Sequence, residues 1–122
     1  MDLAKGPNYT YAAEVMVVHD GDTITCRVDL GFRLLKIDQF RLAGINAPEL
    51  NAGGDKSKKW LTDQIMDKTV MLKVYKNPEK FGRWLADVYL DLSGKSMNQQ
   101  MIDLGLAAAW DGKGPRPQPV EK

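Results

Sequence analysis

The sequence has few of the residues that usually form disulfides and zinc centres. Its 122 residues include one cysteine, Cys26, and one histidine, His19. A single cysteine excludes a disulfide within the chain, and one histidine with one cysteine excludes a zinc site of the usual Cys/His kind. Cys26 alternates with apolar residues, which indicates a buried, unreactive thiol rather than a reactive one.

Long apolar runs and a strong net charge are also missing. No apolar run approaches the roughly 20 residues that span a bilayer, so we expect no membrane partner. The N-terminus lacks the apolar segment of a signal peptide. This fits a cytoplasmic protein or a secreted one whose signal is absent here. The net charge of +1 does not indicate a nucleic-acid binder, although residues 54–83 carry an excess of four positive charges. Such a cluster is typical of a phosphate-binding surface or of a solvated helix face.

The apolar spacing predicts three strands, a helix, two strands and a second helix. Alternation indicates strands in "YTYAAEVMVV" and "DTITCRVDL", and the third segment, "FRLLKIDQFRLAG", changes parity, which predicts a bulge or tight turn near Asp38. We expect Asp55 to cap the first helix, whose apolar stripe includes Leu61 and Ile65. Strands follow in "TVMLKVYK" and "WLADVYL". Ser96 and Gln99 form a capping box for a helix with Met97, Met101 and Leu104 on one face.

This order of elements predicts a mainly β fold with helices (α+β), namely a five-stranded OB-fold barrel with two to three covering helices. The length of the chain suits one domain. We predict an N-terminal extension over residues 1–8, the barrel domain over 9–110, and a Gly/Pro-rich, irregular or disordered tail over 111–122.

Three short motifs lie in predicted loops or at strand ends, where functional residues concentrate. In "DGDT" (20–23), one aspartate can brace the turn while the other serves as a ligand for a hard cation. In "RLAGINAPE" (41–49), Pro48 fixes the backbone before Glu49, and Arg41 projects from the strand. In "EKFGR" (79–83), Arg83 offers a planar fork for phosphate oxygens. Each motif alone is also typical of an ordinary turn or surface ion pair.

Taken together, "DGDT", "FRLAGINAPE", "FGRWLADVY" and "SMNQQMIDLGLA" resemble the staphylococcal nuclease (thermonuclease-like) family in order and spacing over roughly residues 10–110. The resemblance implies an OB-fold barrel and a Ca²⁺-dependent endonuclease, a hydrolase acting on DNA and RNA. It also implies cleavage on the 5′-oxygen side of the phosphodiester, which leaves 3′-phosphates. We expect a monomer.

The resemblance also implies roles for individual residues. Arg41, Glu49 and Arg83 match the catalytic residues of the family. Asp22 matches a metal-binding carboxylate, and Ala47 a position whose backbone carbonyl binds the ion. Lys80 and Phe81 match residues that border the nucleotide, with Phe81 lacking the phenolic hydroxyl of the family's tyrosine. The glutamate is either a true general base or mainly an organiser of the attacking water.

Asn46 departs from the family, because it occupies the position of a second metal-binding aspartate. Asparagine can still offer a carbonyl oxygen to Ca²⁺, but it removes a negative charge from the site. We therefore expect weaker metal binding, and another divalent ion becomes an alternative to Ca²⁺. Two further readings of the sequence remain. One is a weak or inactive nuclease fold that binds nucleic acid or protein, and the other is an unrelated OB-type binding domain. We expect Trp110 to pack at the core or rim, with the nucleotide site as the alternative.

Overall fold

The computed structural model describes residues 7–119, and five of its strands close into one barrel. Residues 1–6 of the predicted extension and residues 120–122 of the predicted tail lie outside the described residues. The elements in chain order are β1 (Pro7–Asp20), β2 (Thr23–Asp29), β3 (Leu35–Leu42), β4 (Ile45–Asn46), a 3₁₀ helix (Leu50–Ala52), α1 (Gly54–Ile65), β5 (Thr69–Pro78), β6 (Trp84–Tyr89), α2 (Met97–Asp103) and β7 (Ala108–Ala109).

The barrel has the strand order β1-β2-β3-β6-β5. Neighbouring strands are antiparallel except β3 and β6, which run parallel through three residue pairs, Phe40 to Leu42 with Trp84 to Ala86. β1 is long enough to pair with both β2 and β5. The strands β4 and β7 form a separate two-stranded sheet. This architecture confirms the predicted OB-fold barrel with helices.

The interior of the barrel is filled by the alternating apolar residues that the sequence pattern indicates. Ile24, Cys26 and Val28 of β2 and the apolar positions of β5 are buried. Leu61 and Ile65 of α1 are fully buried against this core. Burial raises the pKa of the Cys26 thiol to about 12, so the thiol is protonated and unreactive, as predicted.

One strand prediction is wrong, and another strand is less regular than its alternation indicates. No bulge occurs near Asp38, because β3 pairs with β2 in an unbroken register from Leu35 to Arg41. The change of parity arises because apolar side chains such as Ile37 lie on the outer face, where Ile37 is 57% exposed. Register shifts occur in β1 and between β5 and β6 instead. The shift between Val15 and Val17 of β1 leaves Val17 outside the core.

The helix ends also differ from the prediction. α1 follows Gly53, which has a left-handed backbone (φ 92°), and no side chain caps it; Asp55 lies in its first turn. In α2 the Ser96 side chain accepts a hydrogen bond from the Gln99 backbone N–H, as the capping box predicts. Leu104, predicted on the buried stripe, is exposed at the end of α2, because the chain turns at Gly105. None of the helices within residues 7–119 is long and apolar enough to cross a membrane.

Asn98 of α2 joins the helix to the barrel through buried hydrogen bonds. Its Oδ1 accepts from the Val88 backbone N–H at 3.0 Å, and its Nδ2 donates to the carbonyls of Ala43 and Ala86 at 2.8 and 3.1 Å. Ala43 directly follows β3, and Ala86 and Val88 belong to β6. This one side chain therefore holds α2 over the parallel seam of the barrel.

Replacing Asn98 with alanine should lower the free energy of unfolding by about 2–4 kcal/mol, because buried backbone groups would lose their partners. Urea denaturation measures this value. The matched control is Asn77→Ala at an exposed position of β5, which should change stability by less than about 0.5 kcal/mol. Equal effects of the two substitutions would contradict the role of Asn98.

Candidate active site

The turn between β1 and β2 places two aspartates at one end of the barrel. The Asp20 carboxylate accepts the Asp22 backbone N–H at 3.0 Å and so braces the turn, as expected for one of the pair. Burial and the neighbouring Asp22 raise the pKa of Asp20 to about 6. Gly21 lies between them without room for a side chain, since a Cβ there would lie 2.7 Å from the Cβ atoms of Ala47 and Ser57. The turn is therefore pressed against the loop that follows β4.

Asp22 is the buried centre of a small polar cluster. Its Oδ2 lies 3.2 Å from Nη1 of Arg41 and accepts the Ala47 backbone N–H at 2.9 Å. Its Oδ1 accepts the Thr23 hydroxyl at 3.1 Å. Arg41 also donates from Nη2 to the Ile45 carbonyl at 3.0 Å. Asp22 and Arg41 are each only 6% exposed, so the pair is held rigidly with its partners.

The segment that carries Pro48 and Glu49 is fixed from both sides. Before it, β4 pairs with β7, and Asn46 is 2% exposed. After it, the Glu49 carbonyl accepts the backbone N–H groups of Ala52 and Gly54, both at 2.9 Å. A Cβ at Gly54 would overlap the Pro48 and Glu49 carbonyls, so only glycine lets α1 begin this close. The Glu49 side chain itself is 71% exposed.

Arg83 is oriented by Glu79, a residue that the sequence motifs did not single out. Arg83 donates from Nε and Nη2 to the two Glu79 carboxylate oxygens, each at 3.1 Å, and from Nη1 to the Thr23 hydroxyl at 3.4 Å. Glu79 also accepts the backbone N–H groups of Phe81 and Arg83. Since arginine has five N–H donors, this arrangement leaves two for a ligand. The sequence signal for this pair was the position of Glu79, four residues before Arg83.

Arg41 and Arg83 line one cleft of about 300 Å³ at this end of the barrel. Its charged lining comprises five basic residues and two acidic ones, which leaves an excess of three positive charges: Arg41, Lys80, Arg83, Lys113, Arg116, Glu79 and Asp111. Phe81 is 64% exposed in the same lining, with the Lys80 Nζ 5.1 Å from its ring centroid. The cleft thus suits a phosphate with a flat group beside it.

The chain that follows β7 crosses this end of the barrel; we call residues 110–117 the strap. The Trp110 ring lies within cation–π distance of two guanidiniums, with Arg41 Cζ at 5.5 Å and Arg116 Cζ at 5.6 Å from its centroid. Arg116 Nη1 lies 3.3 Å from Oε1 of Glu49, and Asn46 Nδ2 donates to the Pro117 carbonyl at 3.0 Å. Residues 110–117 form neither helix nor strand and lie against the site. Trp110 lies in the cleft and not in the core.

The predicted residues are not all equally close together. Asp22, Arg41 and Ala47 form one connected group, and Arg83 reaches it through Thr23. Asn46 precedes Ala47 in the chain, and its side chain contacts Pro117. Lys80 and Phe81 lie in the cleft beside Arg83. Glu49 lies at the margin and reaches Arg41 only through Arg116 and Trp110. No sequence motif indicated the strap.

A metal ion here would have to bind mainly to oxygen atoms. Within residues 7–119 there is no group of three or more His, Cys, Asp and Glu side chains arranged for a metal. The polar cluster offers the Asp22 carboxylate, the Asn46 amide carbonyl and the backbone carbonyl of Ala47. Such a donor set fits a hard cation such as Ca²⁺ or Mg²⁺, which also keeps water ligands, and does not fit zinc or copper.

The comparison with known families agrees with this geometry. The profile of the family described as staphylococcal nuclease homologue matches residues 39–120. This chain belongs to that family. Its match includes the end of β3, the Pro48–Glu49 segment, the Arg83 loop and the strap. Asp22 and Thr23 of this staphylococcal nuclease homologue precede the matched region.

Curated relatives carry endonuclease names. An "uncharacterized endonuclease" of Haemophilus influenzae is 39% identical over 97 residues, which cover 79% of this chain and 51% of that protein. A "probable endonuclease LCL3" of Coccidioides posadasii and one of Uncinocarpus reesii are each 32% identical over an 83-residue alignment that covers 60% of this chain. The match spans about half of the bacterial protein and about a quarter of each fungal one.

The pair of Glu79 and Arg83 predicts a pH-dependent contribution to the stability of this staphylococcal nuclease homologue. The hydrogen bonds from the Arg83 side chain hold the pKa of Glu79 below its ordinary value of 4.5. A carboxylate with a lowered pKa stabilises the fold above its ordinary pKa, and this contribution is lost as the pH falls through the folded-state pKa. Glu79→Gln should therefore be destabilising at neutral pH, and the difference from wild type should shrink below about pH 4.5.

Urea denaturation of wild type and Glu79→Gln between about pH 7 and pH 3 measures this difference. Asp63→Asn is the control, because Asp63 forms an exposed ion pair with Lys59 that contributes little. If the Glu79→Gln difference stays constant over this range, the carboxylate does not stabilise the fold through Arg83.

Proposed function

We propose that this protein is a metal-dependent phosphodiesterase, an endonuclease that hydrolyses DNA and RNA. The observation that carries the proposal is the convergence of Arg41 and Arg83 on one positively charged cleft, next to the buried Asp22. Family membership and the endonuclease names of the relatives support it. Since the site is built within one chain, we propose a monomer as the active form.

The two arginines would act on the phosphoryl oxygens. Hydrolysis of a phosphodiester concentrates negative charge on these oxygens in the transition state, and preorganised donors stabilise that charge. Arg41 is held by Asp22 and Ile45, and Arg83 by Glu79, so neither guanidinium has to be ordered when the substrate binds. Each retains N–H donors that are not engaged in these contacts.

Glu49 would accept a proton from the attacking water, or orient that water, on the side opposite the leaving group. The water oxygen forms the new bond to phosphorus as its proton passes toward Glu49. The bond from phosphorus to the 5′-oxygen breaks, and the 5′-oxygen takes up a proton. The products are a 3′-phosphate and a 5′-hydroxyl.

Asp22, the Asn46 carbonyl oxygen and the Ala47 backbone carbonyl would hold the divalent cation, with Ca²⁺ as the first candidate. When bound, it supplies positive charge beside the phosphoryl oxygens. Because Asn46 is neutral, the site has one negative charge fewer than an aspartate would supply. We therefore expect a weaker affinity for Ca²⁺ and a greater tolerance of other divalent ions. Lys80 and Phe81 would border the nucleotide, with the Phe81 ring stacked on a base.

A second function is a nuclease fold that binds nucleic acid or protein and cleaves slowly or not at all. The observation that favours it is the position of Glu49, which is exposed at the margin of the cleft and paired with Arg116. Binding without cleavage would use the same basic lining. The two functions differ in whether product forms.

Arg83→Lys and Glu49→Gln should each lower the rate of cleavage of single-stranded DNA by about 10²-fold or more. Lysine keeps the charge of Arg83 but loses the fork held by Glu79, and glutamine cannot take up a proton. A fluorophore-quencher oligonucleotide measures the rate, and Lys95→Gln, an exposed substitution outside the cleft, is the control. Unchanged cleavage by Glu49→Gln would point to a contaminating nuclease, and no cleavage by wild type with any divalent ion would favour the binding function.

Removal of divalent ions should abolish cleavage. Wild type treated with a chelator should show only background product, and stepwise addition of Ca²⁺, Mg²⁺ or Mn²⁺ should restore activity with a different midpoint for each ion. Calorimetric titration of the same ions into substrate-free protein checks whether the activity midpoint reflects binding to the protein. Full activity in the chelator would contradict the metal-dependent mechanism.

A further inference from the structure

We propose that the strap is a working part of this site, with Asn46 as its anchor and Arg116 as a residue that positions Glu49; the catalytic consequence rests on the proposed function. The inference assigns a role to the asparagine that separates this chain from the family pattern. It also means that the strap, which no sequence motif indicated, positions the exposed Glu49 side chain.

Asn46 is chemically matched to the strap. Its side chain is buried, and its Nδ2 donates to the Pro117 carbonyl at 3.0 Å. An ionised aspartate at this position could only accept hydrogen bonds, so it would set a carboxylate oxygen against the carbonyl oxygen of Pro117. An amide can donate to the strap from its nitrogen and still offer its carbonyl oxygen to a cation. Asparagine can therefore bind the strap and a cation at the same time. Relative to aspartate, it loses a negative charge and gains the hydrogen bond to Pro117.

Trp110 is the second point of attachment. Its backbone N–H donates to the Gly44 carbonyl at 2.8 Å, which continues the pairing of β7 with β4. Its indole N–H donates to the Lys113 carbonyl at 2.9 Å and closes the turn of the strap. The ring lies within cation–π distance of the guanidiniums of both Arg41 and Arg116. This arrangement fixes where Arg116 can lie.

Arg116 reaches Glu49 from this fixed position. Nη1 of Arg116 and Oε1 of Glu49 are 3.3 Å apart, but the side chains are 44% and 71% exposed. An exposed ion pair of this kind contributes little to stability and does not hold the strap in place. Asn46 and Trp110 therefore hold the strap in place. The strap in turn holds the Arg116 guanidinium beside the Glu49 carboxylate. Because Arg116 lines the cleft, it holds the Glu49 carboxylate near the cleft, where the water would attack the phosphorus.

The anchor is tested on the substrate-free protein by ¹H–¹⁵N NMR. The Trp110 indole signal, assigned by its loss in Trp110→Phe, should move toward the position of a solvent-exposed indole in Asn46→Asp. The matched control Asn77→Asp adds the same charge at an exposed position of β5 and should leave the signal in place. An unmoved Trp110 signal in Asn46→Asp would overturn the anchor.

The positioning of Glu49 is tested by kinetics and by the Glu49 carboxyl signal. Arg116→Gln should lower kcat by about tenfold with KM changed by less than about twofold, and Arg116→Lys should recover part of the loss. Arg33→Gln, at an exposed arginine of the β2–β3 loop, should change neither. A rise in KM alone would make Arg116 a substrate contact, and a rise in kcat would make the strap an obstruction; either result overturns the positioning role.

A second readout separates this inference from the proposed function. The Glu49 ¹³Cδ signal, assigned by its loss in Glu49→Gln, should move in Arg116→Gln and stay in place in Arg33→Gln, whether or not the protein cleaves DNA. If wild type cleaves nothing and the signal moves, the proposed function fails while the positioning stands. If the signal stays in place, the positioning is wrong even in an active enzyme.

Discussion

The buried contact of Asp22 with Arg41 and the Ala47 backbone is the constraint on which the rest of the site depends. It ties together the start of β2, the end of β3 and the loop after β4, three segments that are separated along the chain. Two charges at 6% exposure are costly to bury unless both are paired and hydrogen-bonded, and here Thr23 and Ile45 complete the bonding. A guanidinium held in this way needs little reorganisation to meet an anion, which links the packing of the barrel end to its chemistry.

Much of the fold was predictable because, in most strands and helices, the residues that repeat with the apolar pattern are also the buried ones. β2 and β5 alternate cleanly between core and solvent, and the two helices bury the expected Leu61, Ile65, Met97 and Met101. The errors occur where a local pattern has two physical readings. Apolar residues on the outer face of β3 imitate a bulge, and the actual shift in β1 is hidden because Val17 and Val18 are both apolar.

The motifs named residues of the candidate site but not the contacts between them. Asp22, Arg41, Ala47 and Arg83 lie around one end of the barrel because strand ends and turns determine where they lie, and their roles stay predictions. The role of Glu79 was not predictable, because the sequence does not distinguish it from other acidic residues in loops. Its role depends on the two hydrogen bonds that its carboxylate accepts from Arg83. The strap could not be predicted from sequence patterns, because it forms no regular secondary structure. Its contacts join residues that are far apart in the chain, such as Asn46 and Pro117.

The parallel seam between β3 and β6 has a consequence for how the protein folds. Only three residue pairs join the strands, and they are separated by more than forty positions along the chain. Contacts of such high sequence separation carry a large loop-closure entropy and are expected to form late. Arg41 lies in this seam and Arg83 immediately precedes it, so a chain with an open seam keeps its two guanidiniums apart. A chain with an open seam would therefore lack the basic cleft that Arg41 and Arg83 line together.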